Sequence, residues 1–211
     1  MNNVNWLVVV EAAAALALLI ALIRLTRPAQ AAGQRRGTTQ VVTEVGVTVA
    51  LAAVLSLIRV FRMPQGGSVS LEMVPVFYVA LRRGGATGIL AGLVLGMVKL
   101  ALGPYVVHPL QFLMDYPLAF AALGVSGFFS RAPLLGVLVG GAARFLMHVL
   151  SGVAFFASYA PEGSNVWVYS LTYNASYMVP EVALAMILML LLGVGFARGR
   201  KRLRPGHARK V

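Results

Sequence analysis

The stretch LLGVLVGGAARFLMHVLSGVAFFA, residues 134–157, decides the fold. Arg144 and His148 are its only ionisable side chains, and nearly all of the other residues are apolar or glycine. About 20 such residues in a helix cross the hydrocarbon core of a bilayer, whereas a helix of a soluble domain has one polar face. The stretch therefore predicts a membrane-spanning helix, with Arg144 and His148 on one face because they are four residues apart.

The whole chain has the composition of a membrane protein. Of its 211 residues, 59% are hydrophobic and 11% are charged, whereas about a quarter are charged in soluble domains. This composition excludes a soluble domain, and it also excludes intrinsic disorder, since disordered chains are poor in apolar residues. The chain has no cysteine, which excludes a disulfide framework, a thiolate nucleophile and a cysteine-ligated metal.

Seven apolar segments follow one another along the chain and predict an all-α integral membrane protein. The third and fourth segments are shorter than a full span, so we expect them to be tilted or broken where the backbone lines a cavity. The segments are 4–23, 41–60, 71–81, 89–102, 109–129, 134–157 and 168–196.

The chain has a net charge of +12, and the distribution of its basic residues indicates which side of the membrane each loop faces. If the N-terminus lies outside, 14 of the 18 Lys and Arg residues fall on the inner side. They lie in the linker after the first segment, at Arg82, Arg83 and Arg131, and in the tail 198–210. Cytoplasmic loops carry such an excess of basic residues. We therefore expect a multi-pass protein of the cell membrane with its N-terminus outside and its C-terminus in the cytoplasm, attracted to anionic lipid and not to nucleic acid.

Polar side chains concentrate in the predicted outer half of the bilayer, where they are costly and mark functional sites by default. The set is Lys99, Gln111, Asp115, Arg144, His148, Tyr169, Tyr173, Asn174, Tyr177 and Glu181. Structural explanations exist for part of it. Arg144 could neutralise Asp115 or Glu181, His148 could be a packing residue, and the tyrosines could form an interfacial belt. As a group, aromatic rings beside one carboxylate suit a flat, cationic ligand that forms hydrogen bonds.

The residues argue against an enzyme. Ser151 and His148 share a helix but lack a loop that could form an oxyanion hole. Asp115 is the only aspartate, so paired aspartates for phosphate–metal chemistry are missing. A zinc site from His108, Asp115 and His148 is conceivable but lacks a typical ligand spacing. No GxxxxGK[ST] motif is present, so the chain does not hydrolyse ATP itself. We expect no catalytic residue, metal or cofactor.

Two series of small residues recur at helical spacing. One is Thr43, Gly46, Ala50 and Ala53 in the second segment, and the other is Gly84, Gly88, Gly92 and Gly96, leading into the fourth. Such faces let helix backbones approach closely in lipid. They serve either packing within the bundle or, on the second segment, the docking of a partner membrane protein.

Five motifs, in order and at similar spacing, resemble the thiamine-specific S component, which is the substrate-binding membrane subunit of energy-coupling-factor (ECF) transporters. The resemblance covers residues 39–192. The motifs are MPQGGSVSL (63–71), DYPLAF (115–120), RFLMHVLSG (144–152), YAPEG (159–163) and YSLTYN (169–174).

The resemblance implies a six-helix bundle over residues 39–197, with one extra helix and a basic linker at 1–38 and a basic tail at 198–211. It implies a thiamine site near the outer face, made of Asp115, Tyr116, Arg144, His148, Phe156, Tyr169 and Asn174. The lid loop over that site corresponds to Gly66, Gly67 and Ser68. The face that docks a transmembrane coupling subunit and two ATPase subunits corresponds to Gly46 and Ala50.

The resemblance also implies roles for these residues. Asp115 is the acidic ligand of the thiamine ring system, with the aromatic Tyr116 beside it, and His148 contacts a ring. Phe156 stands where an aromatic side chain stacks on the ligand, and Tyr169 and Asn174 match hydrogen-bonding residues.

The sequence thus predicts a capture subunit that binds thiamine and delivers it inward with an ATP-driven ECF module. Three alternatives stay open. The chain could be an S component for another flat vitamin or precursor, such as a pyrimidine or riboflavin. It could be a stand-alone membrane carrier or channel, or a structural bundle subunit without a ligand.

Overall fold

The computed structural model of the protein describes residues 38–193. Within that range the chain forms six longer helical segments, a 3-10 turn over Ala157–Tyr159 and one short hairpin. They are α1 (Thr38–Leu57), β1 (Phe61–Arg62), β2 (Ser68–Val69), α2 (Met73–Arg83), α3 (Gly85–Leu102), α4 (Pro109–Phe129), α5 (Pro133–Phe155) and α6 (Val166–Leu191). The helix expected at 4–23, the basic linker and the tail at 198–211 lie outside the described residues.

Five of these helices, all except α2, are long and apolar enough to cross a membrane. This confirms a multi-pass helical protein over residues 38–193. The expectation that the fourth segment is too short was wrong, because α3 already begins at Gly85 and has 18 residues. Gly84 has a φ of 101° and separates α2 from α3. That conformation is cheap only for glycine, so the helix starts earlier than hydropathy indicates.

The short helix α2 lies inside the bundle. It has 11 residues, and its side chains at Met73, Val76 and Phe77 are fully buried. A helix that is covered on several sides by protein does not need the length of a membrane span. The expectation of a short third segment therefore holds, and burial among the other helices is its physical reason.

A β-hairpin stands where the sequence predicted a loop. β1 and β2 are antiparallel, with Phe61 opposite Val69 and Arg62 opposite Ser68. Gly66 and Gly67 at the turn have φ values of 90° and 86°, which L side chains rarely adopt. The segment that corresponds to the family's lid is thus an ordered hairpin whose turn depends on two glycines.

The glycine series packs α3 against α4. A Cβ at Gly92 would overlap the carbonyl oxygen of Phe120, and one at Gly96 would lie 2.6 Å from Cα of Pro117. Gly124 of α4 meets the backbone of Ile89 in the same way. This series therefore serves packing within the bundle, as small residues do in membrane helices.

Helix α4 is irregular in its middle. It is α-helical over Pro109–Leu113, a π-helix over Met114–Leu118, α-helical again over Ala119–Ala122 and a 3-10 helix over Leu123–Phe129. Pro117 lies in the π-helical turn and has no N–H to donate to the helix ladder. Such turns are frequent at functional sites, and this one contains Asp115.

The α3–α4 contact predicts an asymmetry between two glycine substitutions. We expect Gly92→Ala to lower Tm of the detergent-solubilised protein by about 2–12 °C, because overpacking costs about 1–3 kcal/mol and each kcal/mol shifts Tm by about 2–4 °C in a chain of this size. Gly46→Ala is the matched control, since a Cβ there meets no atom within 4 Å, and it should not lower Tm. Equal melting temperatures for the two variants would contradict the packing described for Gly92.

Candidate ligand-binding site

A cavity opens at one end of the bundle, where α1, α3 and α5 end and where α4 and α6 begin. The hairpin and the ends of these helices line it. All seven side chains predicted for the site lie in its wall: Asp115, Tyr116, Arg144, His148, Phe156, Tyr169 and Asn174. The predicted lid residues Gly66, Gly67 and Ser68 line it as well. The structure thus brings the predicted residues together, and their contacts with a ligand stay a prediction.

Asp115 is held by three side chains. Gln111 Nε2 lies 2.7 Å from Asp115 Oδ2, and the Ser151 hydroxyl donates to the same oxygen at 3.0 Å. His148 Nδ1 lies 3.0 Å from Oδ1. Gln111 lies one helical turn before Asp115 and therefore shares its face. The Ser151 proton points at Asp115, so Ser151 and His148 do not form a nucleophile–base pair.

A buried cluster of four charged side chains is connected to Asp115 through His148. Arg144 Nη2 is 3.2 Å from Glu72 Oε1, and Lys99 Nζ is 2.7 Å from Glu72 Oε2. Arg144 Nη1 lies 3.8 Å from Glu181 Oε2, while Ser70 donates a hydrogen bond of 2.9 Å to the other oxygen of Glu181. Each charge has an opposite charge within ion-pair distance, which is the condition for burying it.

Arg144 thus has a structural role at the cavity floor. The alternative that it neutralises Glu181 holds in part, but Glu72 is the nearer carboxylate. The Arg144 guanidinium carbon also lies 4.1 Å from the ring centroid of Phe120, a cation–π contact. Its connection to Asp115 runs through His148, because Arg144 Nε donates to His148 Nε2 at 3.3 Å.

Glu72 and Tyr105 are two cavity residues that the sequence did not identify, and Glu72 has the more consequential contacts. It directly precedes α2 and is 3% exposed. The sequence could have identified Glu72, since it is the single carboxylate within the apolar segment 71–81 and ionisable residues in such segments are functional candidates by default. Its two cationic partners lie 27 and 72 residues further along the chain, so no local pattern identifies them.

Aromatic rings form another wall of the cavity. Tyr105 and Phe156 stack with ring centroids 6.1 Å apart, and the Tyr105 and Tyr159 hydroxyls share a hydrogen bond of 2.8 Å. That hydrogen bond raises the pKa of Tyr105 above its ordinary value. The Tyr116 hydroxyl accepts a hydrogen bond of 2.8 Å from the Tyr105 backbone N–H. This wall presents ring faces to whatever occupies the cavity.

The hairpin turn rests on α6. The Tyr173 hydroxyl accepts a hydrogen bond of 2.9 Å from the Gln65 N–H and donates one of 3.0 Å to the Gly66 carbonyl oxygen. A Cβ at Gly67 would lie 2.6 Å from the Tyr177 ring. The turn therefore packs closely on α6 at the cavity and needs glycine to do so.

Asn174 and Tyr169 differ in their contacts within the protein: Asn174 forms several hydrogen bonds, whereas Tyr169 packs its ring against another tyrosine. Asn174 Nδ2 donates 2.9 Å to the Ser170 carbonyl and 3.3 Å to the His148 carbonyl, and its Oδ1 accepts 2.7 Å from Tyr177. Asn174 therefore ties α5 to α6. Tyr169 is only half-buried and tilts against the Tyr173 ring at 5.8 Å.

The conceivable zinc site is not assembled. Over residues 38–193, no group of three His, Cys, Asp or Glu side chains could hold a metal ion. His108 instead caps α4, accepting at Nδ1 a hydrogen bond of 3.1 Å from the Leu110 N–H, and it stacks on Phe155 at 4.9 Å.

Comparisons with known proteins point to thiamine transporters. A family model described as thiamine transporter protein matches residues 42–199. The chain is 40% identical to thiamine transporter ThiT of Bacillus subtilis (strain 168) over 168 residues, which is 71% of this chain and 88% of that protein. It is 30% identical to ThiT of Lacticaseibacillus paracasei over 172 residues, or 72% and 86%. The structure of ThiT from Listeria monocytogenes matches with a TM-score of 0.68 and 28% identity, covering 74% of this chain and 94% of that one.

The buried cluster predicts a large loss of stability when its central cation is removed. Arg144→Met removes the cationic partner of Glu181 and leaves Glu72 paired with Lys99 alone, and removing one partner of a buried pair costs about 3–5 kcal/mol. We expect the Tm of this variant in detergent to fall by roughly 10 °C. Arg131→Met at an exposed position is the control and should melt with the wild type. A wild-type Tm for Arg144→Met would show that the cluster does not stabilise the bundle.

Proposed function

This chain belongs to the thiamine transporter protein family, and we propose that it captures thiamine as the S component of an ECF importer. Its membership confirms the family resemblance predicted from the sequence. The observation that carries the proposal is the Asp115 carboxylate, held by three side chains in the wall of a cavity lined by aromatic rings. Relatives at 40% and 30% identity are named thiamine transporters.

The chemistry of thiamine fits this cavity. Its thiazolium ring carries a permanent positive charge, and its aminopyrimidine is a flat ring that forms hydrogen bonds. Leaving water costs a cation free energy unless an opposite charge replaces the solvent, and Asp115 supplies that charge. Aromatic faces attract cations as well, and Tyr105, Phe156 and Tyr169 line the cavity. A ring bound between them keeps its charge near Asp115.

The hairpin supplies the lid in this proposal. Its turn is held on α6 through the Tyr173 hydroxyl at one edge of the cavity. Breaking these hydrogen bonds would let the turn lift and admit the ligand, and reforming them would enclose it.

The cavity faces the outside of the cell in this account. The end of the bundle opposite the cavity carries three arginines. Arg82 and Arg83 are the last residues of α2, and Arg131 lies in the turn between α4 and α5. The basic residues of the linker and of the tail extend the same bias. Basic residues favour the cytoplasmic side, so the C-terminus is cytoplasmic and the cavity opens outward.

Inward release requires partners. The sequence has no ATP-binding GxxxxGK[ST] motif, so the energy comes from a transmembrane coupling subunit with two ATPase subunits. Gly46 and Ala50 of α1 are exposed, and a Cβ at Gly46 meets no atom within 4 Å. A small, open helix face of this kind lets another membrane helix approach closely. We assign the docking of the coupling subunit to this face.

Substitution of the carboxylate tests the binding site. We expect Asp115→Asn to weaken thiamine binding at least tenfold, or about 1.4 kcal/mol, because the amide keeps the shape but loses the charge. Isothermal titration calorimetry of the detergent-solubilised protein measures this. Glu162→Gln removes an exposed carboxylate and should bind like the wild type. Unchanged affinity for Asp115→Asn would remove Asp115 from the site, and tighter binding of riboflavin or a pyrimidine would favour an S component for that ligand.

A bulky side chain on α1 tests the docking face. We expect Ala50→Trp to bind thiamine normally but to lose ATP-driven uptake in liposomes that contain the ECF module, because the indole keeps the coupling subunit away. Val179→Trp places the same side chain at an exposed position of α6 and should support full uptake. Full uptake by Ala50→Trp would move the docking site elsewhere. Uptake by the wild type without the module would favour a stand-alone carrier.

A further inference from the structure

His148 lies between a cation and a carboxylate. Its Nε2 is 3.3 Å from Arg144 Nε, and its Nδ1 is 3.0 Å from Asp115 Oδ1. Arg144 and His148 are one turn apart on α5, and Asp115 lies on the π-helical turn of α4. From α6, the Tyr177 ring packs edge-on with its centroid 6.0 Å from that of His148. Both ring nitrogens of His148 are thus engaged by charged groups.

The hydrogen-bonding roles follow from the chemistry of the two partners. A guanidinium N–H can only donate, so His148 Nε2 must present a lone pair to Arg144. An imidazole that accepts at Nε2 is neutral and carries its proton on Nδ1. That proton then points at Asp115 Oδ1. We infer that Arg144 is a positioning residue that holds His148 as the neutral Nδ1–H tautomer, so that Asp115 keeps its negative charge for the ligand.

The protonation of His148 determines whether the negative charge of Asp115 is neutralised within the protein. Glu72 and Glu181 are matched by Lys99 and Arg144. A charged imidazolium at 3.0 Å would cancel Asp115, whereas a neutral imidazole only donates a hydrogen bond to it. Asp115 then keeps a negative charge that no imidazolium neutralises, in a cavity that Arg59 and Arg62 also line. This consequence rests on the proposed function and deepens it: the carboxylate of Asp115 stays charged for a positively charged group of the ligand.

Nitrogen NMR of the ligand-free protein tests the tautomer directly. The chain has three histidines, His108, His148 and His207, so a sample with 15N-histidine in nanodiscs at neutral pH gives few signals. Loss of one set of signals in His148→Gln assigns that set to His148. We expect a protonated nitrogen at Nδ1 and an unprotonated one at Nε2. A doubly protonated ring, or a proton on Nε2, would overturn the inference. This test does not involve thiamine, so it stands apart from the proposed function.

Two isosteric variants test the role in binding. Asn at position 148 can place its amide nitrogen near the site of Nδ1, whereas Gln reaches the site of Nε2. If the Nδ1–H donor to Asp115 matters, His148→Asn should bind thiamine at least about threefold more tightly than His148→Gln, and both more weakly than wild type. Equal affinities of the two variants would contradict the need for a donor at the Nδ1 position beside Asp115. A wild-type protein that binds no thiamine would instead contradict the proposed function.

Discussion

The ion pair between Arg144 and Glu72 is the contact on which the rest of the site depends. A charge inside a membrane protein needs a partner, and this pair also takes in Lys99 and Glu181. The four side chains come from the start of α2 and from α3, α5 and α6, so the cluster fixes four segments relative to one another. The hairpin joins α2 just before Glu72, at the same place. Asp115 is connected to this cluster through His148, and its carboxylate lies in the wall of the cavity.

Much of this architecture could be predicted from the sequence, because membranes impose simple rules. Long apolar segments identify the spans, and spacing by four residues places Gln111 beside Asp115 and Arg144 beside His148. The glycine series predicts a close helix contact, and Gly92 provides it. The candidate site residues gathered in one cavity because the motifs of a family preserve their relation in space. Local pattern and family resemblance therefore agree on where the site lies.

The rest could not be predicted, because it depends on contacts between distant parts of the chain. The Arg144–Glu72 hydrogen bond joins residues 72 positions apart, and Ser70 and Glu181 are 111 apart. The π-helical turn at Asp115 contains Pro117 and lies against Gly96 of α3, a change of helix type that hydropathy does not report. The hairpin pairs only two residues from each strand, which is too short for a recognisable alternation. Its position depends on Tyr173, which lies more than 100 residues away.

The central claim is that this bundle binds one thiamine in the cavity beside Asp115. Native mass spectrometry of the detergent-solubilised protein, purified without added vitamin and then incubated with thiamine, tests it most directly. We predict a single mass increment equal to one thiamine per chain, and a much smaller bound fraction for Asp115→Asn at a thiamine concentration near the Kd of the wild type. No increment for the wild type at saturating thiamine, or an equal bound fraction for the two proteins near that Kd, would contradict the claim.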